Sequence, residues 1–247
     1  MSEAREQFDG LRAKFEELLD QIKLSELADH IRDMTEQTGG LSEEIAKIRS
    51  RGYAFASSLE TKIGGLNQQW AELRPRLPQL ISTEANRLRE EADKLKDKLE
   101  NAGKMLANPG ALQKFIPDVE QAVSDIERGI ESAVSKVQEL YAGIQEEVEE
   151  IAAKFQDINW YLDQQDEASF AWQPAEKVYM ATKAEWVATG KGKDDPDGIL
   201  YLTDQRLVFE QKETTGKTLG LFGGKKMQEM EWGVALSLIT SVKTENK

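Results

Sequence analysis

The sequence predicts an α+β protein of two domains. Long antiparallel helices, as coiled-coil hairpins or a bundle, precede a small antiparallel β-domain. Three observations predict this. Apolar residues recur at steps of three and four as far as about residue 165, and in short alternating runs after Val178. Charge divides at the same place, with 13 acids and 11 bases in residues 166–247 against 32 and 21 before them. Two of the helical stretches also keep a heptad seam, which marks helix-on-helix packing.

The first domain, 1–165, reads as four helices. In the first, over 3–36, Phe8, Leu11, Phe15, Leu18 and Ile22 share a face, and the pattern continues to Leu27, Ile31 and Met34. Gly39-Gly40 is expected to stop it. A second helix spans 42–73, with Phe55, Leu59, Ile63, Leu66, Trp70 and Leu73, weakened at Gly64-Gly65 and ended before Pro75 and Pro78. The third spans 79–107 on a seam from Ile81 to Leu106. The fourth spans 118–165 after Pro117, with an unbroken heptad spacing from Val137 to Leu162. A helix of that length reaches about 70 Å at 1.5 Å per residue, more like a coiled coil than a core helix.

The second domain, 166–247, carries strand signals. Val178 to Val187 is rich in strand formers, and Gly198–Thr203 and Arg206–Glu210 flank a two-residue polar turn, the pattern of a hairpin. Runs at Met227–Trp232 and Leu236–Val242 complete five expected strands. The string Gly198-Ile-Leu-Tyr-Leu-Thr-Asp-Gln-Arg-Leu-Val-Phe resembles the second-to-third strand hairpin of GRAM and bacterial PH-like domains. Leu238-Ile-Thr-Ser-Val242 and Glu176-Lys-Val178 resemble a later strand and the opening strand of that family. The resemblance covers about 70 residues and implies a PH-like sheet that docks on lipid or protein. A whole PH fold has seven strands and a closing helix, so the sequence is expected to be truncated.

Within this domain, Gln211–Lys226 reads as a flexible loop that holds Lys212, Lys217, Lys225 and Lys226 against Glu213, with Leu221 and Phe222 among glycines. Lysines around apolar tips suit an anionic membrane surface, so Lys212, Lys217, Leu221, Phe222, Lys225 and Lys226 are the candidate lipid- or partner-binding residues. The rival reading is that Leu221 and Phe222 cap the sheet or dock on helices. Trp160, Tyr161, Phe170 and Trp172 are the candidates for packing one domain on the other.

Other chemistry is poorly supplied. The 247 residues contain no Cys and one His, at a net charge of −13. That removes thiol catalysis, cysteine metal sites and a hydrolytic triad, and argues against coating nucleic acid. Gly216-Lys217-Thr218 lacks the glycine and the helix that a P-loop needs, and Asp194–Gly198 reads as a turn rather than a calcium loop. No cofactor, metal or enzymatic activity is expected. No apolar run approaches the length of a membrane span, and the opening residues hold no signal-peptide core.

The expected function is a non-enzymatic adaptor or scaffold, cytoplasmic or peripheral at a membrane. Its coiled-coil domain would self-associate or set spacing, and its PH-like domain would dock on anionic lipid or a protein. Two alternatives stay open: a polymerising structural or membrane-remodelling scaffold, and a purely protein-binding module.

Overall fold

A computed structural model describes residues 3–187, 195–215 and 225–244; at 214–215 and 225–226 it describes the backbone. The described chain holds six α-helices followed by a four-stranded antiparallel sheet. Contacts group it into two compact units. One contains the chain up to Gly40 and Gly64–Val148, the other Leu41–Ile63 and the chain from Glu149 onward.

In the first unit, helices α1 (Glu3–Gln21), α4 (Leu77–Gly103) and α5 (Pro109–Gln138) pack on one another. Their seams are buried: Phe8, Phe15 and Leu18 on α1, Leu88, Leu95 and Leu99 on α4, and Ile116, Val123 and Ile126 on α5. A Cβ at Gly129 of α5 would stand 2.9 Å from Leu88 Cδ2, so a glycine lets these two helices approach. Lys14 bonds Glu127 across α1 and α5 at 2.5 Å, and the largely buried Glu84 of α4 receives Lys136 of α5 and Arg87. The single histidine is structural here. His30 Nδ1 lies 2.8 Å from the hydroxyl of fully buried Tyr141, against whose ring Trp70 packs edge-on.

Three of the four expected helices are divided or displaced. The helix expected over 3–36 breaks at Leu24, where φ is +53°. Ile22 and Leu24 are both buried, and positions two apart cannot share one helical face. Burying a leucine is worth about 1.5–3 kcal/mol, enough to offset the left-handed backbone. Helix α2 (Ser25–Ser50) then runs straight through Gly39-Gly40, because Met34, Thr38, Leu41, Ile45 and Ile48 form one buried seam.

The helix expected over 42–73 is likewise two. After α2 the chain turns at Gly52, φ +97°, and Ala56, φ +55°, before α3 (Leu59–Leu73), which tolerates Gly64-Gly65. Arg49 organises that turn. Its guanidinium donates to the carbonyls of Tyr53, Phe55 and Ala56 and to the Glu60 carboxylate.

The last expected helix, 118–165, begins early and is also split. Asn108 caps α5 by accepting from the Ala111 amide at 3.2 Å, with Pro109 in the first turn, where a missing N–H costs nothing. Pro117 sits inside the helix, held between buried Ile116 and Val119. A turn at Glu139–Tyr141 separates α5 from α6 (Ala142–Glu167), although Val137, Tyr141 and Ile144 remain buried on the expected spacing.

The second unit holds the sheet: β1 (Val178–Glu185), β2 (Asp197–Thr203), β3 (Arg206–Thr215) and β4 (Lys225–Ala235), in that spatial order. The expected hairpin forms, with Leu202 opposite Leu207 and Gly198 opposite Gln211. Its turn is closed by Thr203 Oγ1, which accepts from the amides of Gln205 and Arg206. Two expectations are corrected. The segment Gln211–Lys226 is not all loop, since β3 continues to Thr215 and β4 starts at Lys225. The strand expected over Leu236–Val242 does not form. The Leu236 amide instead bonds Gln205 O at the β2–β3 turn, one short 3-10 turn covers Leu236–Leu238, and Leu238 and Val242 are exposed.

Candidate functional site: the open edge of the sheet

One face of the sheet is sealed by the end of α6 and the connector after it. Val178, Ala181, Ile199, Tyr201 and Val208 are buried there, together with the carboxylate of Glu210. Glu210 accepts from the Ser169 amide at 2.6 Å, the Tyr201 hydroxyl at 3.0 Å and Gln228 Nε2 at 3.2 Å. A buried carboxylate is tolerable when its lone pairs are filled in this way. Burial, with Glu210 next to it, pushes the Tyr201 phenol well above its ordinary value.

A second carboxylate anchors the connector. Glu176 receives Arg206 Nε and Nη2, the Gln173 amide and the Thr203 hydroxyl. Burial alone would raise its pKa, but these donors outweigh it and hold the carboxyl below its ordinary value.

The two edges of the sheet differ. At β1, the Tyr53 hydroxyl donates to Tyr179 O at 3.3 Å and the Phe55 ring packs edge-on against Tyr179 at 5.1 Å. The turn after α2 thus reaches that edge at Tyr179. Strand β4 is the other edge, and no described residue pairs with its outer side. Along it Met227, Met230 and Val234 are each about two-fifths exposed. Beside them Trp232 stacks on Phe209 at 5.9 Å and meets Trp186 at 6.3 Å, and the buried Trp232 indole N–H has no hydrogen-bond partner among the described residues.

The residues singled out from sequence fall in different places. Lys212 is tied to Glu167 at 2.5 Å and to Gln164 at 3.1 Å. It therefore helps fasten β3 to α6. Lys225 and Lys226 open β4, opposite Thr215 and Thr214. Lys217, Leu221 and Phe222 lie outside the described residues. Phe170 and Trp172 pack on each other at 4.9 Å and on Tyr201 at 5.3 and 5.8 Å, and Arg206 lies over Phe170. Trp160 and Tyr161 touch edge-on. All four aromatic residues belong to the second unit.

Trp160 also lines a groove of about 520 Å³ with Gln164, Gly198 and Ile199. Lys183 and Lys212 there are balanced by Glu167 and Asp197, so the groove has no charge preference. In the first unit, a cleft of about 1160 Å³ is walled by Glu16, Glu17, Asp20 and Glu26 near His30. His30, at the edge of that cleft, is engaged through Nδ1 by the Tyr141 hydroxyl.

The residues that sequence reasoning missed are Glu176, Glu210 and the exposed stripe of β4. Glu210 carried one usable signal: it stands opposite Ile199, on the same inward side as Tyr201 and Val208 of an otherwise apolar hairpin. No protein-family model matches the chain, and no curated protein is similar to it.

Proposed function

We propose that the protein is a non-enzymatic adaptor that captures an extended segment of a protein partner on β4. One observation carries this reading: among the described residues none pairs with the outer side of β4, and Met227, Met230 and Val234 along it are exposed. An open edge offers unpaired backbone N–H and C=O groups, and alternate apolar side chains add selectivity to an incoming strand. The hairpin's resemblance to GRAM and PH-like domains supports a docking role for the sheet.

The helices supply length and spacing. No described helix is long and apolar enough to cross a membrane. The lipid alternative is the weaker one, since Lys212, one of its expected contacts, is neutralised by Glu167.

The test is selection of displayed random peptides against the full chain. Enriched peptides with alternating apolar residues should lose binding to a Met230→Lys/Val234→Lys variant that keeps its circular dichroism. Peptides that bind wild type and variant equally would overturn the reading. Co-sedimentation with phosphatidylserine vesicles at low salt, unaffected by these changes, would favour the lipid alternative instead.

A further inference from the structure

We infer that the glycine pairs of α2 and α3 form a hinge, at which the two compact units reorient without either one unfolding. This does not depend on what β4 binds. The units part inside helices, not in connectors: in α2 between Gly40 and Leu41, in α3 between Ile63 and Gly64, and in α6 between Val148 and Glu149. Gly39-Gly40 and Gly64-Gly65 stand at two of these three places. The pairs also share one level. The Trp70 indole N–H donates to Thr35 Oγ1 at 3.1 Å, and Arg49 bonds Glu60, so α2 and α3 run antiparallel. Five residues on from Thr35 and five back from Trp70 stand Gly40 and Gly65.

The usual structural reasons for a helical glycine are missing here. None of the four has a positive φ, and a Cβ at any of them would meet nothing within 4 Å. Gly129 and Gly198, by contrast, are each held by a close neighbour. What glycine adds at this level is backbone freedom. It is the costliest residue in a helix interior after proline, and sharp kinks fall at prolines and at glycine or serine pairs. All four positions are exposed, so water can take up backbone groups released by a bend. Thr38 adds to the effect: its buried hydroxyl donates to Met34 O at 2.6 Å, a back-bond that bends helices. Gly10 and Gly143 are equally open, but each stands alone, Gly143 in the first turn of α6. Helix α6 has no glycine pair and keeps the units joined while α2 and α3 absorb the change in φ and ψ.

Because the chain has no cysteine, nitroxide labels can be placed on chosen pairs of exposed sites. Ala28→Cys/Asp157→Cys spans the division, and Ala28→Cys/Lys98→Cys lies within the first unit. Double electron–electron resonance on the full chain should give a broad distance distribution for the spanning pair and a narrow one for the other. Changing all four glycines to alanine should narrow the spanning distribution to the width of the internal one, with helical circular dichroism retained. Gly64→Ala/Gly65→Ala alone should narrow it in part. Hydrogen exchange at the amides of residues 39–44 should slow about fivefold for Gly40→Ala, the factor that matches the helical penalty of one glycine.

A spanning pair as narrow as the internal pair in the wild type would overturn this inference. So would a spanning width unchanged by the alanines. Gly10→Ala/Gly143→Ala removes two helical glycines that lie outside the shared level, and it should leave the spanning width as it is. Equal narrowing from that control would assign the effect to general stiffening of the helices and sink the hinge.

Discussion

Glu176 and Arg206 form a two-pronged ion pair, Nε at 2.8 Å and Nη2 at 2.9 Å, with the carboxylate side chain wholly buried and the guanidinium one-tenth exposed. The pair fastens the connector before β1 to the first residue of β3. Such a pair is weak evidence of net stability, yet breaking it is severe, because one buried charge is left behind. Arg206→Leu should therefore destabilise the sheet unit by about 3–5 kcal/mol in urea unfolding. The double change Glu176→Leu/Arg206→Leu should recover much of that loss. A single change costing under about 1 kcal/mol would place the carboxylate in water, against its observed burial.

The same pair sets an acid limit. Arg206 and the other donors hold Glu176 below its ordinary value of 4.5. As pH falls, the unfolded chain takes up this proton before the native chain does. The contribution is thus fully present above about that value and is lost as pH drops through the lowered native one. Stability followed from pH 6 downward should fall more steeply for wild type than for Glu176→Gln. Parallel curves would show that Glu176 titrates alike in both states.

Tyr201 makes the matching statement at high pH. Burial first, and Glu210 second, raise its phenol above the ordinary value of 10.0. Here the unfolded chain loses the proton first, so the contribution is present below 10.0 and is lost as pH rises above it. Tyr201→Phe should cost about 1–3 kcal/mol at neutral pH, since Glu210 loses one of its three donors. It should also reduce the alkaline slope. Tyrosinate absorbance checks this directly: one tyrosine should ionise only as the protein unfolds.

Particular residues show how much was legible in the sequence. The β2–β3 hairpin was readable because period-two alternation and a polar turn are local signals. The α4 seam was readable for the same kind of reason, at its own period. Helix breaks were not, because a buried seam can pass through a turn unchanged, as Val137, Tyr141 and Ile144 do around residues 139–141. Leu24 gave no local warning either, since a leucine with positive φ exists only because tertiary burial rewards it. The candidate site was less legible still. Whether an edge is open depends on what else reaches it, and Tyr53 reaches Tyr179 across 126 positions of sequence.

Glycine positions separate local cost from tertiary demand, and two kinds of substitution should move in opposite directions. Gly39 and Gly40 lie inside α2, carry no positive φ, and have open space where a Cβ would stand. They retain the helical penalty of glycine and nothing opposes adding a methyl group. Gly39→Ala and Gly40→Ala should each stabilise the chain by about 1 kcal/mol, partly by restricting the unfolded state. Gly198 in β2 is the reverse case. A Cβ there would stand 2.0 Å from Glu210 O and 2.9 Å from the Phe209 ring, and neither the backbone of β3 nor the buried Phe209 can yield cheaply. Gly198→Ala should destabilise by about 3 kcal/mol or more, the upper range for overpacking. Thermal unfolding of the three variants checks both signs at once. A tolerated Gly198→Ala would mean that β2 and β3 do not pair with Gly198 opposite Gln211. A neutral or harmful Gly39→Ala would mean that α2 is not continuous through this pair.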